Sequence, residues 1–200
     1  MSSKDLTRFD AGRLTALSDG IFAVALTLLI LGIVPPETDG AHLTQALVSK
    51  IPLFGIFALS FAIVAYHWVV HHLIFSLAKT VDVLFIWLNL LFLFTVVILP
   101  FSAGVFGRYP LAPVALIVYG TNVAFCSATL MLVWRHMVRA RLNTEIRPEI
   151  ARYISLRFTI WLVLSVVGVA LALILPIASL ALFAALPLLY ACTSRPPKPA

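Results

Sequence analysis

Apolar positions along this chain gather into six long segments, roughly 14–34, 51–75, 83–104, 110–134, 158–175 and 177–193, with short polar connections between them. The first makes about 31 Å of helix at 1.5 Å per residue, against a bilayer hydrocarbon core of roughly 30 Å. The pattern predicts an all-α integral membrane protein, with one six-helix transmembrane domain over residues 1–200. The last two segments are divided by Pro176 and the small residues after it. They read as two short spans or one long broken helix, and two are preferred.

The charges sharpen this picture. The chain is 62% hydrophobic and 11% charged, far from the roughly 25% charged residues of a soluble domain. Six spans place both termini on one side. That side holds Lys4, Arg8, Arg13, Lys79, Arg135, Arg139, Arg141, Arg147, Arg152, Arg157, Arg195 and Lys198, and the other holds Lys50 and Arg108. The positive-inside bias therefore predicts cytoplasmic termini. Five spans would leave Arg195 and Lys198 outside, against that rule.

The net charge of +6 is then accounted for by topology and anionic lipid contact, with no nucleic acid partner. The stretch 135–157, RHMVRARLNTEIRPEIARYISLR, reads as a basic cytoplasmic linker interrupted at Arg147-Pro148, and 194–200 as a short tail. The polar N-terminal residues lead into the first helix without a small-residue cleavage site, so that helix reads as retained. Cys126 and Cys192 both lie in apolar stretches and suggest neither a disulfide scaffold nor a reactive thiolate.

At about 100° per residue, the first helix has two distinct faces. Gly20, Val24, Thr27, Leu28 and Leu31 fall in one stripe, continued by Leu17 and Arg13. Asp19 points about 140° away from Val24. The stripe suits ordinary helix packing, and it equally suits a pore lining in which apolar rings dewet the path and a hydroxyl meets a passing ion. Asp19 is costly in a membrane and calls for donors on neighbouring helices. Facing away from the stripe, it reads as an anchor for the helix.

Candidate partners stand at the end of the second span, where Tyr66, His67, Trp68, His71 and His72 cluster, and Asn89 and Asn122 supply further hydrogen-bonding groups. Trp68 and His71 share a helix face. The histidines have neither a His-Glu-x-x-His pattern nor zinc spacing, so no metal is expected. No nucleophile elbow, Walker loop or dinucleotide loop is present, and an enzyme is not expected. The TVGYG filter is absent too, so an ion pathway would have to use side chains.

These residues make a recognisable set. Arg13-x-x-x-Leu17-Ser18-Asp19-Gly20, followed by Ile21-Phe22-Ala23-Val24-Ala25-x-Thr27-Leu28-Leu29, resembles the first helix of the transmembrane protein 175 family. Trp68-x-x-His71-His72-Leu73-x-Phe75 and the run Leu88-Asn89-Leu90-Leu91-Phe92 through Leu99-Pro100-Phe101 extend the resemblance through the third span.

The resemblance implies a weakly to moderately potassium-selective cation channel of the prokaryotic single-repeat form, a homotetramer in the inner or plasma membrane. It implies a pore lined by Val24, Thr27, Leu28 and Leu31, with Val24 as the hydrophobic constriction and Thr27 as the selectivity layer. It implies a supporting network of Arg13, Ser18, Asp19, Trp68 and His71, and no cofactor beyond permeant K+. The family motif normally has Phe where Leu17 stands, and often Ile or Leu where Val24 stands. The main alternative is a small proton- or cation-coupled secondary transporter using Asp19 and His71, although no inverted repeat is evident. A structural membrane subunit without permeation is a third reading.

Overall fold

The computed structural model describes residues 8–9, 11–78 and 80–193, with side chains described for 11–78 and 80–189. Lys4, Lys79, Arg195 and Lys198, used above for topology, lie outside the described residues, as do the side chains of Arg8 and Cys192. The described residues form seven helices, α1 (Gly12–Leu28), α2 (Leu43–Ser49), α3 (Ile51–Leu77), α4 (Val83–Arg108), α5 (Pro113–Arg139), α6 (Pro148–Ile174) and α7 (Pro176–Thr193). Two short strands, β1 (Arg8–Phe9) and β2 (Val81–Asp82), pair antiparallel, with Arg8 opposite Asp82 and Phe9 opposite Val81.

Proline sets three of the seven described helix starts. Pro113, Pro148 and Pro176 each open a helix, where the missing amide would have lacked a partner anyway. The residue before each is pushed out of helical geometry, as at Leu175 (φ −139°, ψ 77°) and Arg147 (φ −63°, ψ 139°). Asp82 starts α4 differently, its carboxylate accepting the Phe85 amide at 2.8 Å.

Among the described residues, five helical stretches are long and apolar enough to cross a membrane: Gly12–Gly32, Ile51–Leu77, Val83–Arg108, Pro113–Arg139 and Pro148–Ile174. α7 is a separate helix, and it turns back on α6. Ser179 Oγ donates to Gly168 O at 2.7 Å, and the Phe183 ring lies in a slot floored by Gly168 and Gly120.

The basic linker is much shorter than the charge pattern suggested. Residues 135–139 belong to α5 and 148–157 to α6, leaving only 140–147 between them. Hydropathy marks where a helix leaves the hydrocarbon, whereas α5 itself continues to Arg139, where the left-handed Arg141 closes it, and α6 already begins at Pro148. The short helix α2 and the strand pair are also absent from the apolar pattern, because neither carries a periodicity long enough to register.

α1 is held by its buried side. Phe22 packs against the rings of His71 and Phe92, with centroids 5.6 and 5.8 Å away. Around the outside, Trp87, Leu91, Phe94 and Phe101 of α4 are exposed large apolar residues, the surface expected where lipid or another apolar partner replaces water.

Candidate pore face and its supporting network

The two faces of α1 separate cleanly by burial. Phe22, Ala25 and Leu29 are 1%, 2% and 6% exposed, whereas Val24, Leu28 and Leu31 are 56%, 41% and 68% exposed. Leu17, Gly20 and Thr27 are exposed as well. Leu17, Gly20, Val24 and Leu28 line an open groove of about 440 Å³, with Val97 of α4 on its flank. Val97 was not among the expected residues, and nothing in its sequence neighbourhood singles it out from the other apolar positions of α4. Leu17 faces this groove, so a leucine in place of the family's aromatic leaves the buried packing of the single chain untouched.

The helix tightens before the stripe ends. Leu29–Gly32 is a 3-10 turn, which advances about 120° per residue where an α-helix advances 100°. Leu31 therefore sits off the angle extrapolated from α periodicity, though it remains exposed.

Thr27 has a specific polarity. Its Oγ1 donates back to the carbonyls of Ala23 at 3.1 Å and Val24 at 2.8 Å. With the hydroxyl proton committed to the backbone, the oxygen offers lone pairs to the exposed side. The arrangement suits contact with a cation and not with an anion.

Behind this face lies a directed chain of hydrogen bonds. Ser18 Oγ donates to Leu14 O at 2.8 Å, so it receives the Asn89 amide, Nδ2 to Oγ, at 3.1 Å. Asn89 Oδ1 must then face His71, whose Nε2 carries the proton and donates at 2.9 Å. All three side chains are buried, and together they join α1, α4 and α3. Beside them the Trp68 indole N–H donates to Asp19 Oδ1 at 2.9 Å.

Ser18, Asp19, Trp68 and His71 thus come together as one support, in two branches. No hydrogen bond joins Asp19 to His71. Arg13 is exposed and forms no hydrogen bond or ion pair with these groups among the described residues. Asn89, expected only as a further hydrogen-bonding group and not as a member of the network itself, is the hub of the buried branch. Its amide in an apolar span was the signal, because such a group must find partners on another helix.

Two further polar contacts fasten α5. His67 Nδ1 donates to Ile63 O at 2.8 Å, and its Nε2 meets Ser127 Oγ at 3.2 Å. Asn122 donates to Thr95 O and accepts from Ser102 Oγ. Among the described residues no three His, Cys, Asp or Glu side chains converge on a point where a metal could sit.

Comparison with known proteins places this geometry. The sequence model described as endosomal/lysosomal potassium channel TMEM175 matches residues 13–100, which span α1, α3 and most of α4. A protein named a potassium channel from Streptomyces collinus is 32% identical over 158 residues, covering 76% of this chain and 77% of that protein. One from Chamaesiphon minutus, also named a potassium channel, is 36% identical over 137 residues, 66% of this chain and 68% of that one. The crystal structure of a lysosomal potassium-selective channel TMEM175 homolog from Chamaesiphon minutus superposes with a TM-score of 0.80 at 30% identity, over 93% of this chain and 98% of that one.

Proposed function

This chain belongs to the transmembrane protein 175 family of potassium channels, and within that family we propose that it is a potassium-permeable channel conducting passively through a homotetrameric pore lined by α1. One observation carries the reading. In a helix whose opposite side is packed, the stripe Val24, Thr27, Leu28 and Leu31 stands exposed. A symmetric assembly would turn each of these positions into a ring around one axis.

The chemistry follows from the ring identities. A ring of Val24 makes a narrow apolar neck that water leaves readily, so hydrated ions are held back until the neck widens. A ring of Thr27 hydroxyls, each with its proton turned to the backbone, presents oxygens that replace part of an ion's hydration. Such contacts are weak enough for the ion to leave, which favours conduction with a modest preference for K+ over Na+. Valine is a small residue for a constriction, so this neck wets more easily than one of isoleucine. Ser18, Asp19, Trp68, His71 and Asn89 hold α1 at the rotation that presents the stripe.

In this reading the chain is a multi-pass protein of a prokaryotic plasma membrane. α7 serves as the sixth span, both termini are cytoplasmic, and the only small partners are monovalent cations. The test is reconstitution of the purified protein in a planar bilayer with K+ and Na+ reversal potentials. Discrete channel events with a K+-directed reversal potential are expected. Proton-coupled uphill flux without such events would support the transporter, and no flux in otherwise intact protein would leave a structural subunit.

A further inference from the structure

We infer that the turn between α5 and α6 holds the phosphate of an anionic phospholipid, with the Arg141 guanidinium as its principal contact and the α5–α6 crevice as the seat for its glycerol backbone. The inference rests on the membrane topology proposed above.

A pocket of about 420 Å³ lies at this turn, lined by Val138, Arg141, Asn143, Thr144, Ile146, Pro148 and Ala151. Its lining divides by chemistry. Val138, Ile146, Pro148 and Ala151 make an apolar wall at the ends of two spans. Arg141 and Thr144 supply donors at the mouth, and both are exposed. Asn143 is already committed, donating to Leu77 O at 2.7 Å and accepting the Glu145 amide at 2.8 Å. It therefore shapes the turn and leaves the binding to the other two.

Charge around the pocket is unbalanced. Arg135, Arg139, Arg141, Arg147 and Arg152 are exposed and make no ion pair or side-chain hydrogen bond among the described residues. Glu145 and Glu149 are the acidic groups of the same stretch, and Glu149, in the first turn of α6, disfavours an anion at that helix end. The guanidinium supplies what that end does not, because it grips a phosphate through two parallel N–H donors. Arg141 is also the one non-glycine residue with a left-handed backbone among the described residues, at φ 52°. Arginine has no local reason to prefer that conformation, whereas asparagine or glycine does. That left-handed turn closes α5, with the Leu142 amide donating to Met137 O at 3.1 Å, and it places Arg141 at the pocket.

The apolar wall selects the source of the phosphate. A free inorganic anion would leave the outer edges of Val138, Ile146 and Ala151, otherwise packed against the core, facing water, while a lipid's glycerol covers them and its chains run on toward the hydrocarbon beside α5 and α6. Basic crevices at span ends are the ordinary seats of anionic headgroups.

Native mass spectrometry of the full-length protein in detergent tests this, with phosphatidylglycerol or phosphatidylcholine added at equal concentration. Phosphatidylglycerol is expected to be retained preferentially, and Arg141→Asn, which suits the left-handed backbone, to weaken that retention by about tenfold. Arg141→Lys should restore part of it, and Arg108→Asn, outside this turn, should leave it unchanged. Equal retention of the two lipids, or full retention by Arg141→Asn, overturns the proposal. Displacement of the lipid by millimolar inorganic phosphate would also overturn it in favour of a small-anion site. Lipid retention is read without ion flux, so a protein that keeps phosphatidylglycerol yet passes no K+ overturns the channel reading alone.

Discussion

The indole N–H of Trp68 donates to Oδ1 of Asp19 at 2.9 Å, across 49 residues of chain, and so ties α3 to the face of α1 opposite its exposed stripe. In the proposed channel, Asp19 is thereby occupied away from the stripe, with a role in orienting the helix and not in meeting a permeating ion. Two substitutions separate these roles. Asp19→Asn keeps an oxygen acceptor but removes the charge assistance, and Trp68→Phe removes the donor; each should lower stability by about 1–2 kcal/mol. Both should reduce oligomer recovery in size-exclusion chromatography and leave the K+/Na+ reversal potential nearly unchanged. A large selectivity change with normal recovery would place Asp19 in the ion path.

Val24 is 56% exposed on the proposed pore face, and its apolar side chain is the proposed barrier to wetting. Val24→Ala should raise conductance or open probability by widening the neck. Val24→Asn should do so by hydrating it. Single-channel recording that finds both variants identical to the parent would remove Val24 from the constriction.

For Thr27, the hydroxyl proton is held by the Ala23 and Val24 carbonyls. Thr27→Val keeps the shape and deletes the oxygen, so the K+/Na+ permeability ratio should fall towards unity while single-channel events persist. Thr27→Ser keeps the oxygen and should retain most of the preference. Bi-ionic reversal potentials distinguish the two outcomes.

The docking of α7 depends on two glycines. A Cβ on Gly120 would stand 2.5 Å from Phe183 Cζ, and one on Gly168 would stand 2.7 Å from the same atom. Gly120→Ala and Gly168→Ala should each destabilise the protein by about 1–3 kcal/mol through overpacking. Gly55→Ala, where nothing lies within 4 Å of the new carbon, should be tolerated. Thermal unfolding in detergent reads the contrast. Equal melting temperatures for all three would mean that Phe183 yields readily.

Much of this protein was legible from its one-dimensional pattern. Hydrophobic runs located the span-length helices, because a bilayer accepts backbone only where its hydrogen bonds close locally. Pro176 divided the last two segments for an equally local reason, whereas Pro113 and Pro148 open helices whose starts the apolar runs put at about 110 and 158. The 100° spacing put Val24, Thr27 and Leu28 on one face, since a helix's geometry relates near neighbours alone. Asp19 announced a need for a partner, as any carboxylate in an apolar span does.

What the pattern left open depended on other helices. Asn89 became the hub because α4 happens to bring its amide between Ser18 and His71, a meeting of residues 71 and 18 positions apart that no local spacing encodes. The basic stretch 135–157 shrank to a short turn, since charge marks the edge of the hydrocarbon and does not end a helix. Sequence by itself determined which residues must be in helices and which polar groups required satisfaction. Only the tertiary structure decided who satisfies them and which face of α1 remains uncovered, because both depend on the packing of helices distant in the chain.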